Sequence, residues 1–132
     1  MPSITGASHV ALTVRDMEAS VAWYGEVFGW QPLRRLSGEE AGTPRVLLFD
    51  PDSRFVVAIC QPEPAADEPF DHRRVGLDHL ALDVADEDAL QRWIDHLDSR
   101  GVEHSPIREY GPARFVTVDD PDGIQIELWC QN

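Results

Sequence analysis

The feature that most constrains this chain is an internal repeat at an offset of 70 residues. When the sequence is aligned with itself at that offset, without a gap, 15 of the 62 overlapping positions are identical. An average composition would give about four identities by chance. A unit of roughly 60 residues therefore occurs twice, and each copy opens with a histidine, His9 or His79, in an apolar segment typical of a β-strand.

One position breaks the repeat in a way that has chemical meaning. Glu127 stands near the end of the second copy, in an apolar strand, and the 70-residue offset pairs it with Val57. Imidazole and carboxylate are ligands that Fe, Mn, Ni, Zn and Co accept in proteins. Without a metal, a glutamate that faces a cleft would be costly to bury. Two equivalent histidines and one carboxylate therefore indicate a site for one divalent transition metal.

Charge and composition exclude several classes of function. The formal net charge of −13 argues against nucleic-acid binding, because phosphates need a positive surface. Every basic residue is arginine, so no lysine is available to form a Schiff base. No apolar run approaches a membrane span, and the N-terminus lacks a signal-peptide pattern. We expect a soluble, cytoplasmic protein that buries Cys60 and Cys130 as small apolar residues.

The two copies share a predicted order of strand, helix and three strands. Module 1 extends over about 4–61 and module 2 over about 77–131, with a polar, proline-rich linker at about 62–76. Each short sheet has one face covered by its helix and needs a partner on the other face. The expected fold is α+β, a single domain over residues 1–132. In it, two tandem βαβββ modules related by pseudo-twofold symmetry form curved mixed sheets around a cleft.

Local signals place the helices and strands within each module. Asp16 and Asp86 are good helix N-caps, and Gly29 and Gly101 stand where the helices should end. An Asp-Pro-Asp turn precedes the last strand of each module. The strands that follow the helices are predicted at about 30–37, 44–50 and 54–60 in module 1, and at about 102–108, 113–119 and 124–130 in module 2.

These motifs resemble the vicinal-oxygen-chelate superfamily, which includes glyoxalases, extradiol dioxygenases, epimerases and antibiotic-resistance proteins. The resemblance covers nearly the whole chain and rests on His9 in SHVALTV, His79 in GLDHLALDV and Glu127 in DPDGIQIELW. In the family's metal enzymes, ligands lie on the first strand of each module and on the last strand. The resemblance implies that these three residues bind the metal. It also implies a homodimer acting on a small molecule, with modules paired within a chain or across the dimer.

Departures from the family's patterns bear on the reaction. The resemblance to metal-dependent glyoxalases and epimerases implies a fourth ligand, Glu or Gln, where this chain has Val57 beside Ala58. Extradiol dioxygenases use only His, His and Glu, but Thr117 and the segment 108–110 stand here in place of their acid–base pair. Bleomycin-type proteins are acidic dimers that sequester a cationic drug without metal. The charge fits them, whereas the retained histidines and glutamate do not.

The hypothesis that follows is a metal-dependent, glyoxalase-like lyase or isomerase. A three-ligand metal would chelate neighbouring oxygens of a small substrate, with Glu127 as catalytic residue and metal ligand. Two alternatives stay open, an extradiol-type Fe(II) ring-cleaving dioxygenase and a metal-free antibiotic-binding protein. Candidate substrate-binding side chains are Thr13 and Arg45 in module 1, and Tyr110, Arg114 and Thr117 on the strand facing Glu127 in module 2.

Overall fold

The structure is a computed structural model that describes residues 1–131, and the chain divides into two compact units. Unit 1 covers residues 1–68, and unit 2 begins at Pro69, inside the segment predicted as a linker. Each unit contains one four-stranded mixed sheet and one main helix. The prediction of an α+β fold with two tandem βαβββ modules is confirmed. Among the described residues, no helix is both long and apolar enough to cross a membrane.

The two units repeat the same topology. The elements of unit 1 are β1 (His9–Thr13), α1 (Met17–Phe28), β2 (Gln31–Leu36), α2 (Gly38–Ala41), β3 (Arg45–Phe49) and β4 (Val56–Cys60). The elements of unit 2 are β5 (His79–Asp83), α3 (Glu87–Ser99), β6 (Arg108–Tyr110), β7 (Ala113–Asp119) and β8 (Gln125–Gln131). The sheet orders are β1-β4-β3-β2 and β5-β8-β7-β6. In each sheet the first strand runs parallel to the last strand, and the other pairs are antiparallel.

The main helices begin and end where the sequence predicts. Asp16 and Asp86 are N-caps, and each carboxylate accepts a hydrogen bond from the backbone N–H three residues further on. Gly29 follows α1 with φ 71°, and Gly101 follows α3 with φ 65°. These left-handed conformations suit glycine because it has no Cβ to clash with the preceding turn.

The side chains of the sheets alternate between two faces. On β8, the apolar residues Ile126, Leu128 and Cys130 lie on the face that α3 covers, and each is almost fully buried. The alternate residues of the same strand, from Gln125 to Trp129, lie on the opposite face. The face of each sheet away from its main helix, which also carries His9 or His79, is called the open face below.

Two elements differ from the predictions. The strand predicted at 102–108 is wrong, because β6 begins only at Arg108. Ser105 does bond to β7, but not as a regular ladder: its backbone N–H donates to the carbonyl of Thr117, whereas its hydroxyl, and not its carbonyl, accepts from the N–H of Thr117. Helix α2 was not predicted, although Ser37 and Glu40 form a capping box at its start.

The turns before the last strands differ in length by one residue. In unit 1 the N–H of Asp50 donates to the carbonyl of Phe55, whereas in unit 2 the N–H of Asp120 donates to the carbonyl of Ile124. Arg54 in the longer turn has a φ of 64°, which is uncommon for a residue other than glycine. Because of this extra residue, positions after the turn are equivalent at an offset of 69 rather than 70.

Candidate metal centre

Glu127 is a buried carboxylate in the middle of β8, with 5% of its surface exposed. Its Oε1 accepts a hydrogen bond of 2.7 Å from the amide of Gln125, and its Oε2 accepts one from the indole N–H of Trp129. Both donors lie two residues away on the same strand and the same face. The carboxylate is therefore satisfied by neutral groups, and its negative charge is not neutralised by an arginine within residues 1–131.

His79 lies beside Glu127 on the neighbouring strand. β5 runs parallel to β8, with His79 opposite Gln125 and Ala81 opposite Glu127. The Nε2 atom of His79 is 3.4 Å from Oε2 of Glu127. Two ligand atoms that each lie about 2.1 Å from one metal ion at a right angle are about 3 Å apart. The pair has a separation compatible with binding one ion.

The other ring nitrogen of each histidine is held by the preceding residue. His79 Nδ1 is 2.6 Å from a carboxylate oxygen of Asp78, and His9 Nδ1 is 3.1 Å from the hydroxyl of Ser8. Such a partner fixes the orientation of an imidazole and leaves Nε2 for a ligand, as is typical of metal-bound histidines. Sequence reasoning missed Ser8 and Asp78, although they stand at equivalent positions of the repeat.

His9 lies at the start of β1 in unit 1, with an exposed side chain. The open face of β1 also carries Ala11 and Thr13. Among the described residues, no three histidine, cysteine, aspartate or glutamate side chains are gathered closely enough to hold a metal ion. Unit 2 brings His79 and Glu127 together as two potential ligands, and metal binding by this pair, with His9 as the third ligand, stays a prediction.

The counterpart of Glu127 in unit 1 is Ala58, not Val57. Ala58 pairs with Leu47 on β3, just as Glu127 pairs with Thr117 on β7, and both lie on the open face. The gapless offset therefore gave the wrong partner. Like Val57, Ala58 has no atom that could bind a metal. Neither alignment therefore provides a fourth ligand at this position. The side-chain oxygen of the nearby Gln61 accepts a hydrogen bond of 2.7 Å from the backbone N–H of Met17, at the start of α1.

The structure separates the candidate substrate-binding residues of unit 2. Thr117 pairs with Glu127 and shares its face, and Tyr110 is 73% exposed on β6 with its ring 6.0 Å from that of Trp129. Arg114 lies on the strand next to Glu127, as predicted, but its side chain points away from the Glu127 carboxylate. Arg114 pairs with Cys130, and its guanidinium lies 2.9 Å from Glu87 on α3. Side chains alternate between the two faces along β7. Arg114 therefore lies on the face opposite to that of Thr117, which is the face that the helix covers.

Thr13 and Arg45 lie on the open face of unit 1. Both pair with Cys60, on either side of β4. The guanidinium of Arg45 donates to the backbone carbonyls of Ala41 and Thr43, which fixes its position at the end of β3. Burial raises the pKa of the Cys60 thiol, and the nearby Arg45 partly offsets this by lowering it. Cys60 is therefore a protonated thiol at neutral pH.

Known proteins with the same pattern span several activities. The sequence profile of the Glyoxalase/Bleomycin resistance protein/Dioxygenase superfamily matches residues 6–128. The uncharacterised protein YwkD of Bacillus subtilis is 30% identical, over 93% of this chain and 94% of its own. A catechol-2,3-dioxygenase of the same species and the lactoylglutathione lyase GLX1 of Arabidopsis thaliana are each 28% identical. They match 98% and 91% of this chain, which spans only 44% and 42% of their lengths.

Solved structures share the fold. A glyoxalase/bleomycin resistance protein/dioxygenase domain from Frankia sp. EAN1pec superposes with a TM-score of 0.86 at 29% identity, covering 98% of this chain and 94% of that one. A mutant of the fosfomycin resistance protein FosX from Listeria monocytogenes superposes with a TM-score of 0.72 at 21% identity, covering 98% and 95%. That FosX structure contains Mn(II) and a dihydroxypropylphosphonic acid.

Proposed function

We propose that this chain, which belongs to the Glyoxalase/Bleomycin resistance protein/Dioxygenase superfamily, is a divalent-metal-dependent lyase or isomerase of the glyoxalase type. Its substrate would be a small molecule with two neighbouring oxygen atoms. The observation that supports this most strongly is the pair of His79 Nε2 and the buried Glu127 carboxylate, 3.4 Å apart. His9 is proposed as the third ligand, because it repeats His79 in strand position and in its Nδ1 contact.

The paired side chains fit a divalent transition metal such as Fe, Mn, Ni, Zn or Co. Imidazole nitrogen and carboxylate oxygen suit these ions, and Asp78 holds the His79 ring so that Nε2 is available. The hydrogen bonds that Glu127 accepts come from the neutral donors Gln125 and Trp129 rather than from a competing cation. When bound, the ion would supply Lewis-acid chemistry that stabilises negative charge on the substrate.

The open faces of the two sheets suggest how a substrate would be held. Ala58 can neither bind a metal nor move a proton, so we assign no fourth ligand or general base to β4. Thr117 places a hydroxyl beside Glu127, and Tyr110 stands further along the same face. We propose these two, together with Thr13 and Arg45 of unit 1, as substrate contacts. Arg114 is not among these contacts because its guanidinium forms an ion pair with Glu87 on the helix side.

An extradiol-type Fe(II) dioxygenase is the second candidate. A set of two histidines and one carboxylate, without a fourth protein ligand, is the ligand set of non-haem Fe(II) oxygenases. The lack of a ligand atom at Ala58 favours this set. Thr117 has no imidazole or phenol, so the acid–base group of such an enzyme would have to come from elsewhere.

We further propose that the chain works as a cytoplasmic homodimer on a small molecule, with no part in nucleic-acid binding. A dimer allows His9 to join His79 and Glu127 either within one chain or from the partner. Mixing His9→Ala with Glu127→Ala chains distinguishes these arrangements. If the site forms across two chains, the mixed dimer contains one intact site and regains metal binding. If it forms within a chain, the mixture binds no better than either variant.

The test of the proposed function is the metal content of the untagged protein, purified without chelators. We expect about one equivalent of a transition metal per chain for a three-ligand site. His79→Ala should lose it, and His72→Ala, which alters an exposed histidine outside the sheets, should keep it. Iron together with oxygen uptake on catechols would select the dioxygenase. Turnover of hydroxycarbonyl compounds or hemithioacetals without oxygen uptake would select the lyase or isomerase.

A metal-free wild-type protein that also takes up no added Mn(II), Co(II), Ni(II) or Zn(II) would contradict the proposal. Tight binding of a cationic antibiotic without turnover would then select the sequestering role. The His72 control separates loss of a ligand from a general effect of removing an imidazole. Equal metal contents in wild type and His79→Ala would show that His79 is not a ligand.

A further inference from the structure

We propose that Gln125 and Trp129 are positioning residues that hold the carboxylate of Glu127 for the metal. This inference rests on the proposed function, because it concerns the way in which Glu127 would meet the ion. Gln125 donates to Oε1 at 2.7 Å, and the indole N–H of Trp129 donates to Oε2. With one donor on each oxygen, rotation of the carboxylate would break both hydrogen bonds. Its orientation is thus set before any ligand arrives.

Neutral donors suit this role better than a cation would. A buried carboxylate needs hydrogen bonds, and an arginine could supply them. An arginine would also cancel the negative charge that attracts a metal ion. An amide and an indole satisfy the oxygen lone pairs and leave the charge in place. The indole nitrogen is a donor only, so Trp129 cannot compete with Glu127 as a ligand.

The indole is itself held by the ring on the adjacent strand. Phe115 pairs with Trp129 across β7 and β8, and their rings stack with centroids 4.5 Å apart and planes 4° from parallel. The ring of Tyr110 meets Trp129 edge-on at 6.0 Å. Aromatic pairs of this kind contribute stability beyond simple burial. They limit the movement of the indole, and so of the N–H that reaches Glu127.

Unit 1 shows that these residues form a set. The positions equivalent to Gln125, Glu127 and Trp129 hold Val56, Ala58 and Cys60. Where the carboxylate is missing, the amide and the indole are missing as well. The same strand in the same topology therefore folds without this polar set, so the sheet does not need it. This favours a role that belongs to Glu127 rather than to the fold.

The test compares Mn(II) binding by wild type and Trp129→Phe, measured by calorimetry. Phenylalanine keeps an aromatic ring against Phe115 but removes the N–H donor together with part of the indole. Loss of a group that orients a metal ligand weakens binding by about 10–100-fold, and we expect at least tenfold here. Mn(II) should also change the near-ultraviolet circular dichroism of wild type through Trp129, and this change should vanish in the variant. Trp93→Phe on α3 is the matched control, and it should bind like wild type.

Gln125→Met provides a second variant if Trp129→Phe folds poorly, since it removes the amide donor on Oε1 at similar volume. We expect weaker Mn(II) binding here too, with the dichroism change retained because Trp129 is intact. If both variants bind Mn(II) like wild type while Glu127→Ala does not, the metal site stands and the positioning role is wrong. If wild type binds no Mn(II), Co(II), Ni(II) or Zn(II), the proposed function fails and this inference with it.

Discussion

The two units of this chain share one topology but differ in the residues that they present on the last strand. Unit 1 places Val56, Ala58 and Cys60 on the open face of β4, whereas unit 2 places Gln125, Glu127 and Trp129 on that of β8. Both faces next to the helices are apolar and buried. A duplicated scaffold can therefore keep its core in both copies and carry a polar set on the last strand of only one. The histidine that opens each copy is the exception, since it is present in both.

The first prediction compares a buried leucine on the helix side of β8 with an exposed leucine on β2. Leu128→Ala removes a side chain that is 2% exposed under α3, and we expect a loss of about 2–5 kcal/mol in the free energy of unfolding. Chemical denaturation by urea measures it. Leu33→Ala, at a side chain that is 61% exposed, is the control and should change stability by less than about 0.5 kcal/mol. Equal losses in the two variants would refute the assignment of the core.

The second prediction compares the groups that hold the two histidines. Asp78→Ala leaves Nδ1 of His79 without its carboxylate, and we expect metal affinity to fall by about 10–100-fold. Ser8→Ala removes a neutral and longer contact to His9, so the loss should be smaller. Mn(II) titration of both variants and of wild type measures the two losses of affinity. A larger loss in Ser8→Ala than in Asp78→Ala would reverse the order that the structure implies.

The third prediction concerns features that the units share. Asp16→Ala and Asp86→Ala each remove the N-cap of a main helix, and each should lower the free energy of unfolding by about 1 kcal/mol. Because the caps have the same geometry, the two losses should be similar and metal binding should not change. Thermal unfolding, combined with Mn(II) titration, checks both points. A variant that loses metal affinity without losing stability would contradict the purely structural role of these caps.

Much of the fold could be predicted because its signals are local. Asp16 and Asp86 precede helical patterns, and Gly29 and Gly101 follow them, so each helix is bounded by residues with a known conformational preference. Where local signals conflict, the prediction failed. The segment 102–107 contains β-prone residues, but the N–H of Val102 bonds back to Leu97 at the end of α3, and the ladder with β7 begins only at Arg108.

The register of the last strands could not be read from the repeat. Cys60 and Cys130 are identical residues at the 70-residue offset, and a glutamine follows each of them. These identities extend the 70-residue alignment beyond the turn, where the structure does not follow it. The turn in unit 1 has one more residue, and a shift of one residue turns each side chain to the other face. Cys60 thus lies on the open face, whereas Cys130 lies on the helix side. A gapless comparison cannot detect this change.

Only part of the candidate site could be predicted, because the rest depends on the register of the strands. His79 and Glu127 stand out as polar residues in apolar strands, and the structure brings them within 3.4 Å. The phase of a strand, however, decides which of its other side chains share the face. That phase puts Thr117 beside Glu127 and turns Arg114 toward α3. The contacts of Gln125 and Trp129 with Glu127 follow the same alternation and could have been proposed once β8 was placed.

The most direct test of the central claim is the stoichiometry of Mn(II) binding in wild type, Glu127→Ala and Glu109→Ala. Glu109 lies in the same sheet as Glu127, but it pairs with Arg114 on the helix side. The account predicts one strong site in wild type and in Glu109→Ala, and none in Glu127→Ala, with all three proteins folded. Mn(II) binding that survives in Glu127→Ala at wild-type affinity would show that the metal centre is not on β8.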